Sequence, residues 1–446
     1  MQTRTNTPIG KTLIMVLLTS LVMWTTLPAS PALAKGRTIP ANSGIPAGLL
    51  TSDGRLNLTT GFSGTLDLRG WEVKLDSQHG PLFRPARNLA SAGGDWSALG
   101  SGTSAWVWAI AISGSNVYAA GDFWSAGTCT SINGCNDIAR WDGSTWSPMG
   151  TGTNGGDVMA LAVSGDTVYA GGNFNTAGTC KDDCSHIAKW NGSTWLPLST
   201  GVDGGVWALA ISGSNLYAGG YFTEAGTCTS GCNYIAKWNG STWSALGTGT
   251  DDNVLALAVS GSTVYAGGDF TSAGTCSSGC NHVAKWNGSN WTAMGTGMND
   301  KVRTLAVNAS NNVFAGGNFT SAGTCMSGCN YIARWNGSTW SSLNGGMNNE
   351  VYTIAASGSS VYAGGWFTTA GSCLLDCTRI AKWDGSTWSS LGTGTNYNVS
   401  AIAISGNSLY AGGGFWGAGS CTKFDGCNYI AKFTGTAFIY LPLVIR

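Results

Sequence analysis

Along residues 106–435 the chain alternates apolar and polar positions in short runs bounded by Gly, Ser, Asn or Asp. No segment sustains apolar residues at helical spacing, so the pattern predicts strands throughout. Four such runs recur in one order. The first reads V-x-A-L/I-A-V/I, as in Val206–Ile211, and a Ser-Gly turn leads to the second, T/N-V-Y-A-G-G-x-F. A loop holding two Cys precedes the third, I-A-K/R-W, and Asn-Gly or Asp-Gly turns directly into the fourth, S-T-W-S-x-L/M-G. Asn-Gly between two short apolar runs is a strong hairpin signal, because both residues accept positive φ. The last small residue of the glycine step falls at Gly121, Gly172, Gly220, Gly268, Gly317, Gly365 and Gly413, at intervals of 51, 48, 48, 49, 48 and 48 residues. Seven copies of a four-stranded antiparallel unit predict an all-β chain folded as a seven-bladed β-propeller, whose sheets bury their faces against one another without helices.

The repeated side chains follow from that packing. The Phe after each glycine step (Phe123, Phe174, Phe222, Phe270, Phe319, Phe367, Phe415) is expected in the core between blades. The two small residues of the step either allow close backbone approach or mark a bulge. The basic residue before the third-strand aromatic (Arg140, Lys189, Lys237, Lys285, Arg334, Lys382, Lys432) recurs once per unit and reads as structural. There are seven copies of the first three strands but eight candidates for the fourth, the additional one being DWSALG at 95–100. The expected closure therefore brings the Trp96 strand to the outside of the last blade. A local hairpin from Phe433 into Phe438 competes, since a short loop costs less closure entropy.

The fourteen Cys fall in pairs, one pair in each loop between second and third strands: Cys129/Cys135, Cys180/Cys184, Cys228/Cys232, Cys276/Cys280, Cys325/Cys329, Cys373/Cys377 and Cys421/Cys427. The first and last pairs enclose five residues and the others three. Two thiols per unit read as seven local disulfides in an oxidising compartment, each tying one loop and serving loop rigidity more than global stability. Metal binding is the alternative, but zinc wants four ligands per site and the chain has 3 His (His79, His186, His282). A redox motif would place two residues between the thiols.

Residues 1–34 read as a secretory signal, with Arg4 and Lys11 before the apolar run LIMVLLTSLVMW and Ala32-Leu33-Ala34 at the cleavage pattern. That run is too short for the roughly 20 residues a membrane-spanning helix needs. Residues 35–94 are a linker with a small β element, its strand-like runs at Arg55–Thr60 and Thr65–Asp76; 95–436 form the propeller. The apolar tail 437–446 is a sorting signal or an added strand. The expected location is secreted or at the cell surface, with no membrane span after signal removal. Lys plus Arg and Asp plus Glu both number 22, and the charged share is 10%. A net charge of zero offers no global field to nucleic acid. Of 446 residues 68 are Gly, about twice the ordinary share of roughly 7%, and the repeated turns and glycine steps account for much of the excess.

The order apolar strand, V-Y-A-G-G, loop, aromatic-containing strand, then Trp resembles the kelch propeller repeat. More narrowly, A-G-G-x-F-T-x-A-G followed by I-A-K-W-N-G-S-T-W-S-x-L-G resembles units of exported bacterial propellers and of the fungal cortical polarity-marker propellers. The likeness covers about 106–435, with Lys-Trp or Arg-Trp where kelch units carry Tyr-Asp and with the Cys pair added. It implies the propeller fold.

Function is expected on the face that carries the disulfide loops and the stretches Asn154–Asp157, Val202–Gly205, Asp251–Asn253, Asn299–Lys301, Asn348–Glu350 and Asn396–Asn398, because the opposite face has only minimal turns. The second residue of each first strand varies while its neighbours repeat: Trp108, Met159, Trp207, Leu255, Arg303, Tyr352 and Ser400. Aromatics here beside Asn and Asp could stack a sugar or grip a peptide; alternatively the position merely fills space between blades. Asp251 and Asp252 form the densest oxygen cluster, yet no unit has Ca²⁺-loop spacing, and solvated turns are the plainer reading. Asn-Gly-Ser at Asn191, Asn239, Asn287 and Asn336 also spells a glycosylation acceptor, but the hairpin turn already explains it. A sialidase-type S-x-D-x-G-x-T-W box is not matched, and no carboxylate pair stands out, so no enzyme and no cofactor are expected. The expected function is a monomeric, non-catalytic module binding a protein or glycan through the loop face; a structural envelope spacer is the alternative.

Overall fold

The structure is a computed structural model that describes Thr51 and residues 71–76, 80–85 and 94–435. The chain divides at Leu68/Arg69 into two units, and apart from Thr51 the described structure lies in the second. The signal segment, the run Arg55–Thr60, the tail 437–446 and the competing Phe438 strand lie outside the described residues. Ahead of the ring, Trp71–Asp76 pairs with Gly80–Pro85 in an antiparallel hairpin. The first strand lies inside the expected run; the second does not alternate and carries Pro81 and Pro85 near its two ends. A two-stranded hairpin tolerates them because each strand has an unpaired edge.

The propeller is present as expected: seven sheets of four antiparallel strands. The innermost strands of blades 1–7 are Val107–Ser113, Val158–Ser164, Val206–Ser212, Val254–Ser260, Val302–Val307, Val351–Ser357 and Val399–Ser405. Each packs against the next, and Val399–Ser405 against Val107–Ser113 completes the circle. Helix among the described residues is limited to three short 3-10 turns, at Ser131–Asn133, Asp182–Cys184 and Lys423–Asp425. In blade 3 the strands run Val206–Ser212, Asn215–Gly220, Ile235–Trp238 and Trp243–Ala245 from axis to rim.

Closure uses the N-terminal strand. Asp95–Ala98 pairs with Ile430–Thr434 in the register Asp95↔Thr434, Trp96↔Phe433 and Ala98↔Ala431, taking the outer position that a local hairpin would need. Strand direction then places Asp95 and Thr434 side by side at the short-turn end of blade 7, the end opposite the disulfide loops.

The core lies between blades. All seven repeated Phe are at most 1% exposed, and each packs with apolar residues of its own and the preceding blade, as Phe319 does with Val302 and Val313 of blade 5 and Ala256 and Val283 of blade 4. At the rim, every fourth-strand indole crosses to the preceding blade. Trp146 Nε1 donates to the Leu99 carbonyl (2.8 Å), Trp195 to Met149 (2.8 Å), Trp243 to Leu198 (3.0 Å) and Trp96 to Leu391 (2.9 Å). Trp291, Trp340 and Trp388 continue the series to Leu246, Met294 and Leu343. Seven indoles thus make a closed circuit, and two of its links pass through the N-terminal strand. The repeated basic residues lie opposite the second-strand aromatic, as in Tyr362↔Lys382, where Nζ sits 5.8 Å over the ring.

The glycine step both allows close approach and faces a bulge. A Cβ on Gly219 would run into Val254 of the next blade, and one on Gly220 into the carbonyl oxygen of Gly205. Opposite the step, pairing goes from Val206↔Gly220 to Ala208↔Gly219 and skips one residue. The same skip occurs in all seven blades. Asn-Gly-Ser forms an Asx turn, with Asn191 Oδ1 accepting from the N–H groups of Ser193 (3.0 Å) and Thr194 (2.9 Å).

Candidate functional site

The seven bonds join the expected Cys pairs, with Cα–Cα separations from 5.7 to 6.1 Å, and no described cysteine is free. They tie loops to the same face as the segments that precede each inner strand. Bridges such as Val202↔Ala225 and Ala225↔Cys228 hold the two together.

The pairs also reach below the surface. The second member of every pair, Cys135, Cys184, Cys232, Cys280, Cys329, Cys377 and Cys427, is fully buried. Each lies in the same apolar cluster as the repeated Phe of its blade, as Cys135 does with Phe123 and Cys427 with Phe415. Cys280, Cys329 and Cys377 likewise join Phe270, Phe319 and Phe367. The physical reason is that half-cystine sulfur is apolar and the chain turns inward there to start the third strand. Each bond therefore pins a loop of this face to the interblade core.

The residues skipped by the bulges are Trp108, Met159, Trp207, Leu255, Arg303, Tyr352 and Ser400, the varying positions of the inner strands. A bulge re-aims a side chain out of the sheet's alternation, which frees this column from the constraint that keeps its neighbours small and apolar. Six are half-buried and Trp207 is exposed. Arg303 Nε donates to Asn318 Oδ1 (2.6 Å), and its guanidinium lies 5.3 Å over the Tyr352 ring of the next blade. The Tyr352 hydroxyl donates to Glu350 Oε2 (2.8 Å), and Asn318 Nδ2 donates to the other carboxylate oxygen. Burial, helped by the Glu350 charge, pushes the Tyr352 phenol up to about 12. Trp207 meets Tyr221 edge-on at 6.3 Å, and Ser400 Oγ accepts from Asn398 Nδ2 at 3.0 Å. Met159 and Leu255 offer no side-chain polar group.

Asp251 and Asp252 precede the inner strand of blade 4. Asp251 accepts from the Thr271 N–H (2.8 Å) and hydroxyl (2.7 Å) and the Ser272 N–H (2.9 Å). Burial alone would raise this carboxyl, but those bonds outweigh it and hold the pKa below its ordinary value. Asp203, Asn299 and Asn348 clamp their own blades in the same way, so Asp251 is committed to holding two loops together. Asp252 accepts from the Asn253 N–H at 2.7 Å.

Two further columns adjoin the glycine step and carry chemistry that the repeat pattern hides. One is the residue after the glycine step: Asp122, Asn173, Tyr221, Asp269, Asn318, Trp366 and Gly414. The other precedes the third strand: Asp137, His186, Tyr234, His282, Tyr331, Arg379 and Tyr429, all with φ between 60 and 68°. Both vary between units as much as the bulge column does, and that variation is the signal by which sequence alone could find them.

Together the columns divide the loop face into sectors. At blades 1 and 2, Asp137 is 9% exposed and faces Asp157 and Asp122. Burial and those two charges push its carboxyl up to about 7, against the opposing hydrogen bond from Thr153. At blades 4 to 6 lie the Arg303–Tyr352–Glu350–Asn318 cluster and the Lys301–Asp269 ion pair (3.2 Å). At blades 6, 7 and 1 aromatic rings run in sequence. Trp366 and Tyr397 are 4.6 Å apart, Tyr397 stacks on Trp416 at 5.7 Å and meets Trp106 at 5.8 Å, and Trp106 meets Trp108 at 4.8 Å. The Arg379 guanidinium caps this strip 4.7 Å over Trp366. Among the described residues, no group of three or more His, Cys, Asp or Glu is placed to hold a metal ion, and no helix is long and apolar enough to cross a membrane.

No protein-family model matches the chain, and no curated protein matches it. Solved structures do. The computationally designed Ika8 protein is 17% identical over 77% of this chain and 100% of its own, with a TM-score of 0.46. The WD40 β-propeller domain of Doa1 is 13% identical over 76% and 97%, and YCF48 bound to D1 peptide is 12% identical over 77% and 97%, each with a TM-score of 0.49. At such identities the likeness is one of fold alone. The chain is a seven-bladed β-propeller, with a WD40 propeller among its structural neighbours.

Proposed function

We propose that the ring is a non-catalytic binding module that takes a protein or glycan on its disulfide-tied loop face. One observation carries this. Within residues 94–435 nine large apolar side chains are exposed, and all nine lie on that face. They include Trp124 (60%), Trp416 (48%) and Phe424 (89%), as well as Trp207 and Tyr221 beside the axis. Exposed apolar residues scattered singly need no explanation, whereas confinement of every one to a single face does. The disulfides keep the loops that carry most of them in place, which lowers the ordering cost of binding.

Seven disulfides favour an extracellular or otherwise oxidising environment. With the signal-like residues 1–34 they support an exported protein, secreted or held at the cell surface. The repeat motif supports a place among kelch-like exported propellers.

Glycan-array and pull-down screening of the mature chain tests the reading, alongside Trp124→Ala/Trp207→Ala and, on the other face, Ser113→Ala/Ser212→Ala. A ligand is expected that the first variant loses and the second keeps. Failure of the wild type to retain any glycan or protein would leave the structural spacer as the better account.

A further inference from the structure

Blades 1 and 7 depart from the other five in the same way. A Trp follows the core Phe (Trp124, Trp416) where the others carry Asn or Thr. Their disulfides join residues six apart rather than four, and the longer loop forms a 3-10 turn with an apolar tip, Ile132 (94% exposed) in blade 1 and Phe424 (89%) in blade 7. In blade 7 this arrangement frames a groove of about 450 Å³, lined among others by Asn396, Trp416, Thr422, Lys423 and Phe424.

The groove has a definite chemistry. Trp416 stacks on Tyr397 (5.7 Å, 28° between planes) and remains 48% exposed, so it is a supported flat platform. The Trp416 backbone N–H donates to Asn396 Oδ1 (3.0 Å), which fixes the loop and leaves the Asn396 amide NH₂ as a donor at the groove. Lys423 brings a positive charge, its Nζ 5.1 Å over the Phe424 ring. No acidic residue lines the groove, and the neighbouring Asp425 uses Oδ2 to accept from the Thr422 N–H (2.9 Å) and hydroxyl (2.8 Å). A flat apolar surface, an amide donor and one unopposed cation match a pyranose ring bearing a carboxylate: its C–H face lies on the indole and its hydroxyls meet amide and threonine groups.

We infer that the blade 7 groove binds an acidic saccharide of the hexuronate class, stacked on Trp416 with its carboxylate at Lys423. This rests on the loop face being a binding surface. The test is an array printed with galacturonate, glucuronate and mannuronate oligosaccharides beside neutral hexose counterparts, probed with the full chain and followed by calorimetry on the strongest hit. A uronate is expected to be preferred over its neutral counterpart, with affinity falling roughly tenfold in Lys423→Ala and in Trp416→Ala and weakening as salt rises. Lys181→Ala in the blade 2 loop keeps wild-type affinity. Lys423→Glu, at an exposed turn outside the core, covers the case in which Trp416→Ala fails to fold: it abolishes uronate binding at an unchanged melting temperature. Equal retention of neutral and acidic sugars, or wild-type affinity in the Lys423 variants, overturns the inference. Capture of a protein or only neutral glycans overturns it and leaves the binding module standing, while no ligand of any kind overturns both.

Discussion

Asp137 occupies a left-handed backbone position (φ 61°), takes hydrogen bonds from Asn136 (2.7 Å) and Thr153 (3.2 Å), and is nearly closed to solvent. Its folded pKa of about 7 lies above the unfolded value near 4. Between those values the folded chain holds a proton that the unfolded chain has released, so stability falls as pH rises through the window and the loss is complete above it. The size is at most about 4 kcal/mol at 1.36 kcal/mol per pKa unit. Asp137→Asn, which keeps the shape and tolerates the left-handed conformation, should flatten the melting temperature between pH 4 and 8 and raise it at the upper end. An unchanged pH profile in thermal melts would show that the carboxyl titrates normally. Asp251 teaches the complementary lesson. As part of Asp-Asp-Asn it stands out in the sequence as an oxygen cluster, but its oxygens are occupied by Thr271 and Ser272, residues about twenty positions away that the sequence does not set beside it.

Single elements repeat near-identical contacts, and this is why so much of the fold was legible. The core Phe and the glycine step each announce one packing solution seven times over, and the Asn-Gly or Asp-Gly turn does so six times. What the repeat concealed is the chemistry that differs between blades. Arg303, Asn318 and Glu350 belong to three different columns and meet only because the bulge, the glycine step and the loop before the next inner strand converge. Reading the bulge column alone finds Arg303 and Tyr352 but misses Trp366, Tyr397, Trp416 and Arg379. The cysteine spacing gives the pairing but not the depth, because only the packed blades show that Cys329 or Cys377 sits in the core beside its Phe. Three substitutions probe the elements themselves. Gly219→Ala forces a Cβ against Val254 and should cost about 1–3 kcal/mol in denaturant unfolding. Trp243→Phe keeps an aromatic ring but removes the indole N–H, leaving the Leu198 carbonyl only the Gly201 N–H, a loss of about 1 kcal/mol for the hydrogen bond. Cys228→Ser combined with Cys232→Ala, which keeps the buried position apolar, opens a small ring worth about 2 kcal/mol in the chain-entropy model. Hydrogen exchange should then quicken across residues 222–234 while the strands stay protected.

For the whole molecule the decisive piece is the strand Asp95–Ala98, short and distant in sequence from the blade it completes. A chain beginning at Thr103 lacks the outer strand of blade 7, the Trp96 indole bond to blade 6 and the Leu99 carbonyl that Trp146 of blade 1 uses. Its melting temperature should fall well below that of a chain beginning at Gly94. The same seam governs how the ring responds to force. Its two ends, Asp95 and Thr434, lie side by side on one blade, so tension applied between them enters at that pair. Antiparallel strands pulled from a shared end unzip, breaking their hydrogen bonds in succession rather than all together. Blade 7, and not the ring of seven, sets the load at which the molecule begins to open.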